Sequence, residues 1–313
     1  MRTPVVWLTL LFVMGVLWAG SNSVVKMGLG SIDPLALVFW RFAVAFAVLA
    51  IWIAIKRYSL RIGRGDLLRI GGAGLLLASS NLLWVAGIGM SRASDASLLY
   101  VFEPVWGILL ASIILKEKLR ATTIVGLLFV LLGLAVLSGF NAGAFGLKAS
   151  GSAVGNLLVV AGLICEGLYS IVLKPLAARV SAPVVTAGNL AVAAAVTAIP
   201  MGLRGGFSVP SGAGALFSIA YLSIICTVIG YTLWVAVMKH APVGLMLFTV
   251  FIQPIAGPLI AAGFLGEHLD AHLLLGGAPL IIGMFIAVAG HLRGERRNAA
   301  MSNAVAISIA GGV

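Results

Sequence analysis

Apolar residues run along this chain in long blocks, with no two-residue alternation and few polar interruptions. A helix needs roughly 20 mostly apolar residues to cross a bilayer. Ten blocks reach that length: about 5–29, 34–56, 67–90, 94–115, 121–140, 153–174, 183–203, 212–236, 242–265 and 271–292. Membrane strands would be shorter and would alternate, so the pattern predicts helices. The breaks between blocks are short and carry turn residues, as in Gly30-Ser31-Ile32-Asp33-Pro34 and Ser181-Ala182-Pro183. The first block follows Arg2 but runs longer than a signal-peptide core, so it is expected to remain as the first transmembrane helix.

The blocks repeat. Pro104, Trp84 and Glu117 recur as Pro254, Trp234 and Glu267, each 150 positions on. Tyr100-Val101-Phe102-Glu103-Pro104 in the first copy answers to Phe251-Ile252-Gln253-Pro254 in the second. Each half holds five spans, an odd number, so the second half enters the membrane upside down. The expected fold is therefore an all-α membrane protein of ten helices in two inverted five-helix repeats. The expected limits are 1–140 for the first repeat and 153–292 for the second. A Gly/Ala/Ser-rich connection spans 141–152, and a cytoplasmic tail spans 293–313. The duplication is incomplete: Lys26 matches Lys174 at a shift of 148, but Arg41 then falls opposite Asn189.

Charge adds the orientation. Of 313 residues, 61% are hydrophobic and 9% charged, against about 25% charged in soluble domains. The net charge of +11 does not point to nucleic acid, because the basic residues collect at span ends. With the N-terminus inside, 15 lysines and arginines lie on inner segments and 3 on outer ones. Both termini are thus expected in the cytoplasm of a bacterial-type cell, with the protein in the inner membrane. Cys165 and Cys226 lie inside apolar blocks without metal-ligand spacing and read as core residues.

One set of motifs in the first half is Trp18-Ala19-Gly20-Ser21-Asn22 with Lys26, Pro34 with Arg41, and Glu103-Pro104 through Glu117-Lys118-Leu119 with Gly126 and Gly133. Its counterpart in the second half is Gln253-Pro254 through Glu267-His268-Leu269, with Gly276 and Gly283. On these residues the chain resembles the ten-helix, EamA-type members of the drug/metabolite transporter superfamily. The resemblance covers about 5–292 and implies two inverted repeats and export of small metabolites or amino acids, driven by a proton or substrate gradient. The second half departs from it: Cys165-Glu166-Gly167-Leu168-Tyr169 stands where the Trp-Ala-Gly-Ser-Asn run would recur, so the halves are expected to divide the work unequally.

Mid-membrane polar residues are the candidate site. An acidic residue at a helix centre costs about 2.5–3.5 kcal/mol on insertion scales, so Glu103 needs a cavity or a partner. It reads either as a site for a proton or a substrate amine, or as a structural carboxylate answered by Arg41. Tyr100 lies one turn away on the same face. Glu166 and Tyr169 repeat the acid–tyrosine spacing in the sixth span, with Lys174 as the alternative partner of Glu166. Arg41 reads equally as a fork for a substrate carboxylate or as the ion-pair partner of Glu103. Lys26, nearer its span end, reads as a snorkelling residue. Trp18 and Asn22, Asn81 and Trp84, and Tyr231 and Trp234 each pair on one helical face and suit an amphipathic pocket wall, with Gln253 opposite Glu103 in the repeat. Pro104 and Pro254 are expected to kink their helices. Gly126, Gly133, Gly276 and Gly283 form small-residue stripes for close helix contact, within the fold or at a dimer face.

His268 and His272 are four apart, but Glu267 matches Glu117, which has no histidine beside it, so no metal site is expected. Neither a nucleophile–base pair nor a phosphate loop stands out, and no cofactor is expected. The expected function is alternating-access export of a small amphipathic metabolite, first an amino acid or related compound, with proton coupling as a candidate driver. The rivals are a broad drug exporter, an intramembrane enzyme and a non-transporting scaffold. The expected partners are the small-molecule substrate and the lipid bilayer, with the protein a monomer or homodimer.

Overall fold

The computed structural model describes residues 3–103, 106, 121–137, 151–177, 179–203, 210–238, 243–269, 271, 273–286, 289, 290 and 293. Among these there is no strand. The first span is α1 (Thr3–Ala19) and α2 (Ser21–Gly28), separated at Gly20. Next comes α3 (Pro34–Lys56), whose start is encoded locally. The Asp33 carboxylate accepts from the Leu35 and Ala36 amides at 2.9 and 3.2 Å, and Pro34 takes the first helical position, where its missing N–H costs nothing. The third span is α4 (Arg64–Met90), the fourth opens with α5 (Ala93–Leu99), and the fifth is α6 (Ala121–Leu137).

The second half brings α7 (Gly151–Ala177) and α8 (Ala182–Leu203). Its eighth span passes from α9 (Ala213–Ala220) through a π-helix (Tyr221–Tyr231) into α10 (Thr232–Val237). The last two spans are α11 (Val243–Leu265) and α12 (Leu273–Ile286). Five of the described segments are long and apolar enough to cross a bilayer unaided, and shorter apolar helices at Ile124–Gly133, Ile252–Leu265 and Leu273–Ile286 lie within the fifth, ninth and tenth predicted spans. The architecture is an all-α membrane fold of ten spans in two inverted five-helix repeats.

The inversion is visible where α6 meets α12. A Cβ on Gly133 would lie 2.6 Å from the carbonyl oxygen of Gly276, and one on Gly283 would lie 2.5 Å from that of Gly126. Only glycine lets the two backbones touch there. The two contacts exchange when every residue is shifted by 150, so the helices cross antiparallel about the axis relating the repeats. The glycine stripes therefore close the fold from within. A second glycine contact joins the halves where α4 runs antiparallel to α7: Gly87 and Gly155 press on each other's carbonyls. At the other end of this pair Asp66 accepts from Arg179 at 2.7 Å.

Two spans depart from regular α-helix. In the fourth, Tyr100, Val101 and Glu103 each bond the carbonyl three residues back, a tightened turn. A proline at 104 cannot donate to the Tyr100 carbonyl, which accepts from the Glu103 amide at 3.1 Å instead. Pro104 itself lies outside the described residues. Its repeat mate Pro254 is buried within α11, which continues through it and through Pro258. The eighth span carries eleven residues of π-helix, which the apolar pattern does not announce. A π turn displaces carbonyls from their usual partners. Here the Cys226 carbonyl accepts from Trp18 Nε1 at 3.0 Å, and Thr227 Oγ1 donates to the Leu222 carbonyl at 2.7 Å.

Candidate functional site

A cavity lies between the two repeats. It is narrow, with a cavity volume of about 60 Å³, room for a few water molecules. Nine residues expected from sequence line it: Trp18, Arg41, Asn81, Tyr100, Glu103, Glu166, Tyr231, Trp234 and Gln253. Asn22 and Tyr169 stand directly behind this wall. Asn22 Oδ1 accepts from Trp84 Nε1 at 2.9 Å, and Asn22 Nδ2 donates to Ser97 Oγ at 2.8 Å. Tyr169, fully buried, packs edge-on against Tyr231 with ring centres 5.9 Å apart and accepts from Asn189 Nδ2 at 3.3 Å.

The three charged groups in the wall are held differently. Arg41 comes from α3 and is 4% exposed. Its Nε donates to Thr227 Oγ1 in the π-helix at 2.8 Å, and its Nη1 donates to Asn81 Oδ1 on α4 at 2.6 Å. Asn81 is itself fixed by donating to the Leu77 carbonyl at 3.0 Å. The guanidinium also sits 5.5 Å from the Trp84 ring centre. The ion pair with Glu103 does not form, because neutral acceptors from both repeats hold the fork in place. Glu166, on α7, accepts from Ser80 Oγ at 2.7 Å on one oxygen and from Tyr231 Oη at 2.9 Å on the other. It is thus tied to α4 and the π-helix rather than to Lys174, which is exposed. The Glu103 carboxylate has no hydrogen-bond or ion-pair partner among the described residues.

The remaining wall is aromatic. Trp18 lies 5.7 Å from Trp234 and 5.9 Å from Tyr231, ring centre to ring centre. An apolar surface thus faces a fixed cation and two carboxylates. That combination is the chemistry that complements a solute with an apolar body and charged ends.

Lys26 departs from the sequence expectation. Instead of snorkelling, its Nζ donates to the Ile88 carbonyl at 2.9 Å and to the Ser91 carbonyl, capping the C-terminal end of α4. Two residues that matter here were not singled out in the sequence. Ser80 had a signal: it lies four residues before Trp84, on the same face. Thr227 had none, because its reach to Arg41 depends on the π-helix. Among the described residues no group of acidic, histidine or cysteine side chains has a metal-binding arrangement. His272 and Asp270 lie outside the described residues.

The comparisons with known proteins agree with this architecture. A solved structure superposes with a TM-score of 0.65 at 23% identity, covering 92% of this chain and 98% of the other, which supports the fold. An uncharacterized transporter of Archaeoglobus fulgidus is 24% identical over 282 residues, spanning 87% of this chain and 94% of its own. A protein of Streptantibioticus cattleyicolor described as a probable terminal-alkyne amino-acid exporter is 28% identical over 308 residues, 94% of this chain and 96% of its own. The uncharacterized transporter YyaM of Bacillus subtilis is 24% identical, spanning 90% of this chain and 92% of its own. The family model described as the EamA-like transporter family matches residues 5–139 and again 153–289. With both halves matched, the chain belongs to the EamA-like transporter family, a group of multi-pass membrane proteins.

Proposed function

We propose that this transporter exports a small amphipathic metabolite, an amino acid or related compound, by alternating access between its two repeats. The observation that carries this reading is the wall of the inter-repeat cavity. It pairs a positioned guanidinium with a carboxylate that has no partner among the described residues, and both adjoin an aromatic surface. An α-amino acid presents a carboxylate, an ammonium group and an apolar side chain, which match these three features. Arg41 takes the carboxylate through its open edge. Glu103 takes the ammonium group or, in the unloaded protein, a proton, which makes it the candidate for proton coupling. The similarity to a probable amino-acid exporter is consistent with this assignment.

A broad drug exporter is disfavoured by Arg41, since a buried, fixed cation rejects cationic and uncharged lipophilic compounds. A scaffold is disfavoured by the cavity itself, and an enzyme by the similarity to transporters over both halves of the chain. The proposal places the working repeats at 1–140 and 153–292, with both termini in the cytoplasm and the protein in an inner membrane, as a monomer or homodimer. A cytoplasmic reporter fused after Arg297 should therefore be active. The test of function is a survey of solutes in the medium of cells with and without overexpression. The proposal expects a zwitterionic solute to accumulate outside. Accumulation only of lipophilic cations would overturn it.

A further inference from the structure

A cluster of charged and hydroxyl side chains gathers at the end of the molecule where α5 begins, away from the cavity wall. Gly266 follows α11 with φ of 66°, a left-handed turn that glycine adopts without strain. The turn aims Glu267 back at α5. One Glu267 carboxylate oxygen accepts from the Ala93 amide at 3.0 Å, and the other accepts from the Ser94 amide at 3.0 Å and from Ser94 Oγ at 2.5 Å. Arg92 flanks the same carboxylate at 3.9 Å and donates to the His268 carbonyl. Glu267 belongs to the second repeat and α5 to the first, so these bonds join the repeats.

The bonds lead inward. On α5, Ser97 accepts from Asn22, Asn22 accepts from Trp84, and the Trp84 ring lies against Arg41. The same helix runs on into Tyr100 and Glu103. A movement of α5 therefore shifts the Glu103 side of the cavity and loosens the support of Trp84.

We infer that Glu267 is the positioning residue that keeps this end of the cavity closed, and that its release from the start of α5 opens the cavity toward that side. The inference rests on the alternating-access reading above. Charge-assisted bonds from a carboxylate to backbone amides are among the stronger ones available, and they break as a unit when the acceptor leaves.

The experiment uses Ser170→Cys, at the cavity wall, in the full chain carrying Cys165→Ala and Cys226→Ala. A membrane-impermeant thiol reagent is applied to intact cells and to inverted vesicles. Adding Glu267→Gln should raise labelling from the side where α5 begins about tenfold and lower it from the other side. Ser94→Ala, which removes one bond of three, should shift labelling the same way by about threefold. Unchanged labelling from the α5 side in both variants would overturn the inference, as would an equal rise from both sides. No solute is needed, so the two readings fail separately. Solute export with unchanged labelling sinks the latch alone, whereas reciprocal labelling without any solute export sinks the exporter reading alone.

Discussion

Glu103 and Glu166 face one cavity from opposite repeats and are held in opposite ways. Glu166 has each oxygen bonded to a hydroxyl, from Ser80 in one repeat and Tyr231 in the other. Glu103 ends a tightened turn and has no partner for its carboxylate among the described residues. The sequence treats the two alike, since both are mid-span acids with a tyrosine three residues away. Their surroundings separate them. A carboxylate with both oxygens already bonded gains less from a solute than one with neither bonded in a low-dielectric cavity. Under the proposed function, Glu166 holds the cavity walls together and Glu103 meets the solute.

The most damaging change should be Glu103→Gln, which keeps the shape and removes the charge. Solute flux in proteoliposomes should fall about a hundredfold, the scale of one charge-assisted contact in a buried site, while the protein still folds. Arg41→Lys comes next. Lysine keeps the charge but cannot span Thr227 and Asn81 with one planar fork, so flux should fall about tenfold with a weaker apparent affinity. Glu166→Gln should cost less in flux, about threefold, because an amide still accepts from one hydroxyl. A larger loss there than in Glu103→Gln would reverse the division of roles. Smallest in flux should be Gly133→Val. It overpacks the α6–α12 crossing and should lower thermal stability by about 1–3 kcal/mol, with flux per folded molecule unchanged.

Much of the architecture was legible in the chain because membrane helices obey a simple length rule, and because a shift of 150 marks duplication whatever the structure. The same shift supplied the inversion through the odd number of spans per half, and the glycine contacts between α6 and α12 obey it. The cavity residues were legible for a related reason: polar groups at mid-membrane depth are costly, so they gather where they are answered. What was not legible depended on partners. Arg41 could have paired with Glu103 on charge alone. It binds Thr227 because eleven residues of π-helix turn that hydroxyl toward it, and no local propensity distinguishes those residues from α-helix. The role of Lys26 is hidden in the same way, since the end of α4 that it caps lies far off in sequence.

The most direct test of the comparison is equilibrium binding of the exported solute to purified protein. Quenching of the cavity tryptophans Trp18, Trp84 and Trp234 provides the signal. The account predicts that Glu103→Gln weakens Kd by at least about tenfold, whereas Glu166→Gln leaves it within about twofold, as expected when only one of the two carboxylates is a contact. A solute that binds Glu103→Gln as tightly as the parent protein, or that loses its affinity in Glu166→Gln instead, would contradict it.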